Sequence, residues 1–181
     1  MATNSKNYLK FAIAVVACLL ARLIPFRMPN VEPLMATVMP FSKAYGIFFS
    51  LFFAVLSILS YDLITNTLGV QTFFVLFAYI VVSLWSTQYF KNREANISNF
   101  VKFSIMGTLF FDAMTGLTVG PLFFHQSFAG SFIGQIPFTL YHLLGNIIFA
   151  TILSPAIYSL LVKKKAMREN TIINVPHLKT I

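Results

Sequence analysis

Apolar residues fall in long runs along this chain, punctuated by lysines, prolines and glycines. Phe11 to Pro25 is the first run, opened by Lys6 and Lys10 and closed by Pro25, Pro29 and Pro33. Residues 34–64 form a second run, too long for one membrane crossing at about 1.5 Å per residue. Pro40, Lys43 and Gly46 interrupt it. Residues 70–90, 100–117 and 135–162 supply three more. Lys43 decides whether the second run is one helix or two. In a single helix its ammonium would lie near mid-membrane, at about 2.5–3.5 kcal/mol. A turn over Ser42-Lys43-Ala44-Tyr45-Gly46 takes the charge to water, and Gly46 loosens the bend. The pattern predicts an all-α integral membrane protein, a bundle of six transmembrane helices in a single domain over 1–181. The spans fall near 8–26, 33–42, 45–64, 70–90, 99–117 and 135–162, the second being short for a crossing.

Composition supports this reading. The chain is 57% hydrophobic and 10% charged, with 21 phenylalanines and a mean hydropathy of +0.78. A soluble domain carries about 25% charged residues. In a soluble protein the net charge of +8 would point to nucleic acid, but the placement of the cations removes that partner. With both termini cytoplasmic, Lys6, Lys10, Lys43, Lys91, Arg93, Lys102, Lys163, Lys164, Lys165, Arg168 and Lys179 are inside. Only Arg22 and Arg27 remain outside, and eleven against two is a strong orientation signal. A lone Cys18 excludes an internal disulfide and a cysteine-based metal cage. Met1 to Ala21 has the basic start and apolar core of a signal peptide, and Val15-Val16-Ala17-Cys18 approximates a lipoprotein box. Apolar character continues through Leu19, Leu20, Leu23 and Ile24, so the segment reads as a span.

Two stretches repeat 50 residues apart: Tyr61-Asp62-Leu63-Ile64-Thr65 and Phe111-Asp112-Ala113-Met114-Thr115. Each sets an aspartate near the end of an apolar run, where an ionisable group is costly unless it faces a wet cavity or a partner. The residues downstream of each copy match too, Gln71 to Phe77 aligning with Gln135 to Tyr141 after 14 extra residues in the second copy. Both aspartates lie on outward-running helices. The loops 63–69 and 118–134, with the segment 27–33, would then cover one external mouth, as in carriers built from repeats. On α-helical spacing His142 and Asn146 share a face, with Gln135 and Phe138 close by. Ala17-Cys18-Leu19-Leu20-Ala21, with Ala14 adjoining, leaves a flat strip for close helix approach. That strip serves either packing inside the bundle or a partner.

With these features the chain resembles the substrate-binding S components of energy-coupling factor (ECF) vitamin transporters. The likeness rests on the size, the six spans, Ala17-x-x-x-Ala21, the Pro29-Asn30-Val31-Glu32-Pro33 segment before a short second helix, and the cytoplasmic ends. It implies a multi-pass protein of the prokaryotic plasma membrane that captures a vitamin or related micronutrient at its outer face. Docking through Ala14, Ala17 and Ala21 would join it to a transmembrane coupling protein driven by two cytoplasmic ATPases. The chain has no Gly-x-x-x-x-Gly-Lys-Ser/Thr loop, so hydrolysis would belong to the partner. The resemblance places Arg27, Asn30 and Glu32 in the first outer loop, and Asp62, Asn66 and Gln71 around the second. Asp112, Thr115, His125, Gln126 and Gln135 surround the third, followed by Tyr141, His142 and Asn146 on the last helix. Charges, amides and rings suit a polar heterocycle, and no compact His-x-x-x-His spacing points to a metal. Neither a metal nor another cofactor is expected. For Asp112 a structural pairing with Arg22 or Arg27 stays open, as does helix packing for His142. An intramembrane enzyme using Asp62, Asp112 and the histidines is the alternative function, and a membrane-assembly protein the third.

Overall fold

The second apolar run breaks at Gly46. In a computed structural model, which describes the backbone of 5–25 and 31–173 and the side chains of 9–25 and 31–162, Gly46 adopts φ +81°. L-residues rarely enter that region, so glycine suits a turn this abrupt. The helices are α1 (Ser5–Leu23), α2 (Leu34–Tyr45), α3 (Ile47–Thr65), α4 (Val70–Lys91), α5 (Ile97–Phe123) and α6 (Phe128–Ile173). Lys43 reaches the bundle end as expected. Its Nζ donates to the Phe90 carbonyl at 2.8 Å, a cation on the C-terminal carbonyls of α4. Lys10 donates likewise to the Leu160 carbonyl at 2.8 Å. These contacts mark a basic end, and the α3–α4 and α5–α6 loops lie at the opposite, distal end.

α2 is the axis of the bundle. Every residue from Leu34 to Ser42 is buried, and the helix packs against α3, α4, α5 and α6. A helix that is apolar on all sides belongs in a core. Its 12 residues make about 18 Å at 1.5 Å each, against a hydrocarbon layer of about 30 Å. Four helical stretches are long and apolar enough to cross a membrane: Ile47–Thr65, Val70–Lys91, Ile97–Phe123 and Phe128–Val162. Six helices were expected and are present, but α1, with Lys6, Lys10 and Arg22, and the short α2 do not meet that measure among the described residues. The apolar surface left open is large; Phe48, Phe73 and Ile152 are 82%, 75% and 70% exposed.

The expected loop over 118–134 is mostly helix. α5 continues to Phe123 and α6 begins at Phe128, which leaves four linking residues. Gly116 and Gly120 make this possible. A Cβ at Gly116 would sit 1.8 Å from Gln135 Oε1, and one at Gly120 would sit 2.7 Å from both Gln126 Oε1 and Ser131 Oγ. Side chains from α6 and the linker therefore occupy the space above the α5 glycines. Ser127 starts the last helix, its Oγ accepting from the Gly130 N–H at 3.1 Å.

Candidate functional site

Midway along the bundle, α5 and α6 run antiparallel and cross-link through polar side chains. Thr108 and Asp112 lie one turn apart on α5, and His142 and Asn146 one turn apart on α6. Asp112 Oδ1 meets His142 Nδ1 at 2.7 Å, and Asn146 Nδ2 donates to Thr108 Oγ1 at 2.8 Å. None of the four is more than 2% exposed. These are two rungs of one ladder.

A second pair faces the same interior. Arg22, near the end of α1, meets Glu32 at 2.8 Å, donates from Nη1 to the Ser57 carbonyl at 3.1 Å, and lies 4.2 Å over the Tyr61 ring. A planar guanidinium can make all three contacts together, which an ammonium could not. Tyr79 of α4 is buried within electrostatic reach of Arg22, Glu32 and Asp112. Its ring lies 5.0 Å from Phe111, which in turn lies edge-on to His142 at 5.5 Å. Val31 closes the layer from above. A Cβ on Gly145 would come within 3.2 Å of the Val31 backbone, so the segment entering α2 rests directly on α6. Buried ionisable groups are costly unless paired and hydrogen-bonded, and here each carboxylate has a nitrogen partner, His142 for Asp112 and Arg22 for Glu32.

The sequence-predicted residues divide sharply. Asp112, His142 and Asn146 meet in the buried ladder, Glu32 pairs with Arg22, and Phe138 lies 6.3 Å from His142 as the helical spacing required. Asp62 does not join them. Its Oδ2 accepts from Thr72 Oγ1 at 2.6 Å and its Oδ1 from Thr67 Oγ1 at 3.4 Å, while the Thr72 hydroxyl also accepts the Gly69 N–H at 3.2 Å. That is a staple across the α3–α4 turn. Asn66, left-handed at φ +55°, ends α3 and is exposed. Gln71 is exposed and bonds the Thr67 carbonyl. Thr115 bonds back to the Phe111 carbonyl at 2.8 Å. His125, at φ +53°, is exposed in the linker, and Tyr141 points outward at 48% exposure, one position from buried His142. Gln135 packs on Gly116 and reaches Thr139 at 3.3 Å; with Gln126 and Ser131 it lines a separate polar cavity of about 470 Å³ at the distal end. Arg27 and Asn30 lie outside the described residues. Asp112 also does not pair with Arg22: each has its own partner, His142 and Glu32.

Ala14, Ala17 and Ala21 line an apolar groove of about 540 Å³ between α1 and α6, with Phe149 and Leu153 opposite. Tyr79 and Thr108 were not singled out from the sequence. A tyrosine in mid-span was the available signal, since a buried phenol needs a partner; Thr108 lies one turn before Asp112 on the same face.

The family of unknown function DUF6580 matches residues 2–170. The chain belongs to that family. No curated protein and no solved structure matches it. For this DUF6580 member, function must be argued from the layer itself. A buried carboxylate–imidazole pair beside a guanidinium–carboxylate pair, roofed by one loop and walled by rings, can bind and orient a polar solute or move a proton.

Proposed function

We propose that this protein is the substrate-capture subunit of an ECF-type uptake transporter in a prokaryotic plasma membrane, with both termini cytoplasmic. In this reading a vitamin or related micronutrient enters at the distal, extracytoplasmic end and is held in the buried layer beneath Val31. The observation that carries it is the Asp112–His142 and Arg22–Glu32 layer, roofed by Val31 and placed in a bundle whose outer surface is apolar. The alanine-lined groove supports docking of a transmembrane coupling protein, which would bring two ATPases.

Affinity purification of the full chain from its native membrane tests the assignment. The expected result is recovery of one further membrane protein and two ATPase subunits, together with saturable solute binding and no turnover. Recovery of the chain alone, or conversion of a bound solute to product, would overturn it. Orientation is tested in a Cys18→Ser background. Asn66→Cys and Ser127→Cys should react with an impermeant thiol reagent on intact cells, and Lys91→Cys should not. The Asp112–His142 pair favours one second reading, acid–base chemistry within the membrane, and turnover is what separates the two.

A further inference from the structure

Asp112 and Asn146 each spend one polar atom on the ladder and keep one. Oδ1 of Asp112 is engaged by His142 and Nδ2 of Asn146 by Thr108, while Asp112 Oδ2 and Asn146 Oδ1 have no hydrogen-bond partner among the described residues. Both residues are only 1% exposed. Tyr79, also 1% exposed, holds its hydroxyl in the same interior without a hydrogen-bond partner among the described residues. Buried polar atoms are rarely left unsatisfied, because a lost hydrogen bond is not regained from water there. The two orphans sit on neighbouring rungs, about one helical turn or 5.4 Å apart along the bundle. Both are acceptors, and one belongs to a carboxylate.

We infer that the solute presents a planar, nitrogen-bearing donor edge, of amidine, guanidine or aminopyrimidine type, to Asp112 Oδ2 and Asn146 Oδ1. This rests on the capture reading above and names the chemistry of its ligand. Two N–H groups on one rigid plane satisfy both oxygens at once, and positive charge on that plane is drawn to the Asp112 carboxylate. The Phe111 and Tyr79 rings beside the rungs favour a flat, electron-poor partner over an aliphatic one. A ligand that leads with a carboxylate or phosphate is disfavoured here, because it would set acceptor against acceptor.

The test uses two probes of the same shape, benzamidine and benzoate, on the purified full chain in detergent. Benzamidine at millimolar concentration should raise the unfolding temperature and bind at least tenfold more tightly than benzoate. Asp112→Asn should weaken benzamidine at least tenfold. Asn146→Asp adds a second negative acceptor that Thr108 can still hydrogen-bond, and should tighten benzamidine several-fold; a purely structural Asn146 predicts loss of stability and weaker binding instead. Equal preference for benzoate, no effect of Asp112→Asn in folded protein, or no response to either probe would overturn the donor-edge assignment. Partner recovery separates this from the capture reading. A chain that retains its ATPases but prefers benzoate refutes the ligand class alone. One that prefers benzamidine without any transporter partner refutes the uptake role alone.

Discussion

Asp62 and Asp112 stand in the same five-residue pattern and have the same local backbone, yet they do different work. In each copy the threonine bonds back to the carbonyl four residues earlier, Thr65 to Tyr61 and Thr115 to Phe111, both at 2.8 Å. The difference is depth. Asp62 is three residues from the end of α3, and Asp112 is eleven from the end of α5. At about 1.5 Å per residue that places Asp112 some two turns further from its helix end, and it is buried where Asp62 is only half-buried. The extra residues of the second copy, expected as loop, are mostly helical and lengthen α5 and α6. Asp62 is left at a turn with hydroxyls and an exposed loop around it. Asp112 is sealed against an imidazole. A repeated motif becomes a staple across a turn in one place and a buried pair in the other.

Asp112→Ala should have the largest effect. It strands His142 in the interior, and removal of one partner from a buried pair costs about 3 kcal/mol. Thermal unfolding in detergent should show a clear fall, whereas Asp62→Ala should fall by no more than a third as much. Equal losses would abolish the distinction between the two sites.

Gly145→Val tests whether the layer depends on its roof. The added side chain meets the Val31 backbone, and overpacking of this kind costs about 2 kcal/mol or shifts the segment. Benzamidine binding should weaken along with stability. A valine tolerated without either change would mean that the 31–33 segment moves freely and does not close the site.

Asp62→Asn sharpens the comparison from the other side. The Thr72 hydroxyl keeps an acceptor but loses a charged one, worth about 1 kcal/mol, while benzamidine affinity stays at the wild-type value. A tenfold weaker affinity would restore Asp62 to the binding site. Tyr141→Phe should be the smallest change, within about 0.5 kcal/mol and without effect on binding, because Tyr141 faces outward. Substantial loss of binding there would place the solute outside the layer.

Much of the architecture could be read from residue order. Long apolar runs must close their own backbone hydrogen bonds and therefore become helices. Lys43 could not remain in mid-run, and the chain does break beside it, but at Gly46 alone: the expected turn over 42–45 is the last turn of α2, and Lys43 meets the Phe90 carbonyl from there. His142 and Asn146 share a face because helical spacing requires it. The site could be read only in part. Glu32, Asp112, His142 and Asn146 were named, but Asp62, Gln71, His125 and Tyr141 carried equal weight as polar or aromatic groups near the ends of apolar runs. Sequence spacing measures distance along one helix and does not report where neighbouring helices stop. The burial of Asp112, the exposure of Tyr141 beside His142, and the meeting of Arg22 with Glu32 depend on contacts among α1, α5, α6 and the segment before α2. Helix formation is local, decided by each residue and its neighbours along the chain. The depth and partner of a charge are decided by other segments, and only the packed bundle brings those together.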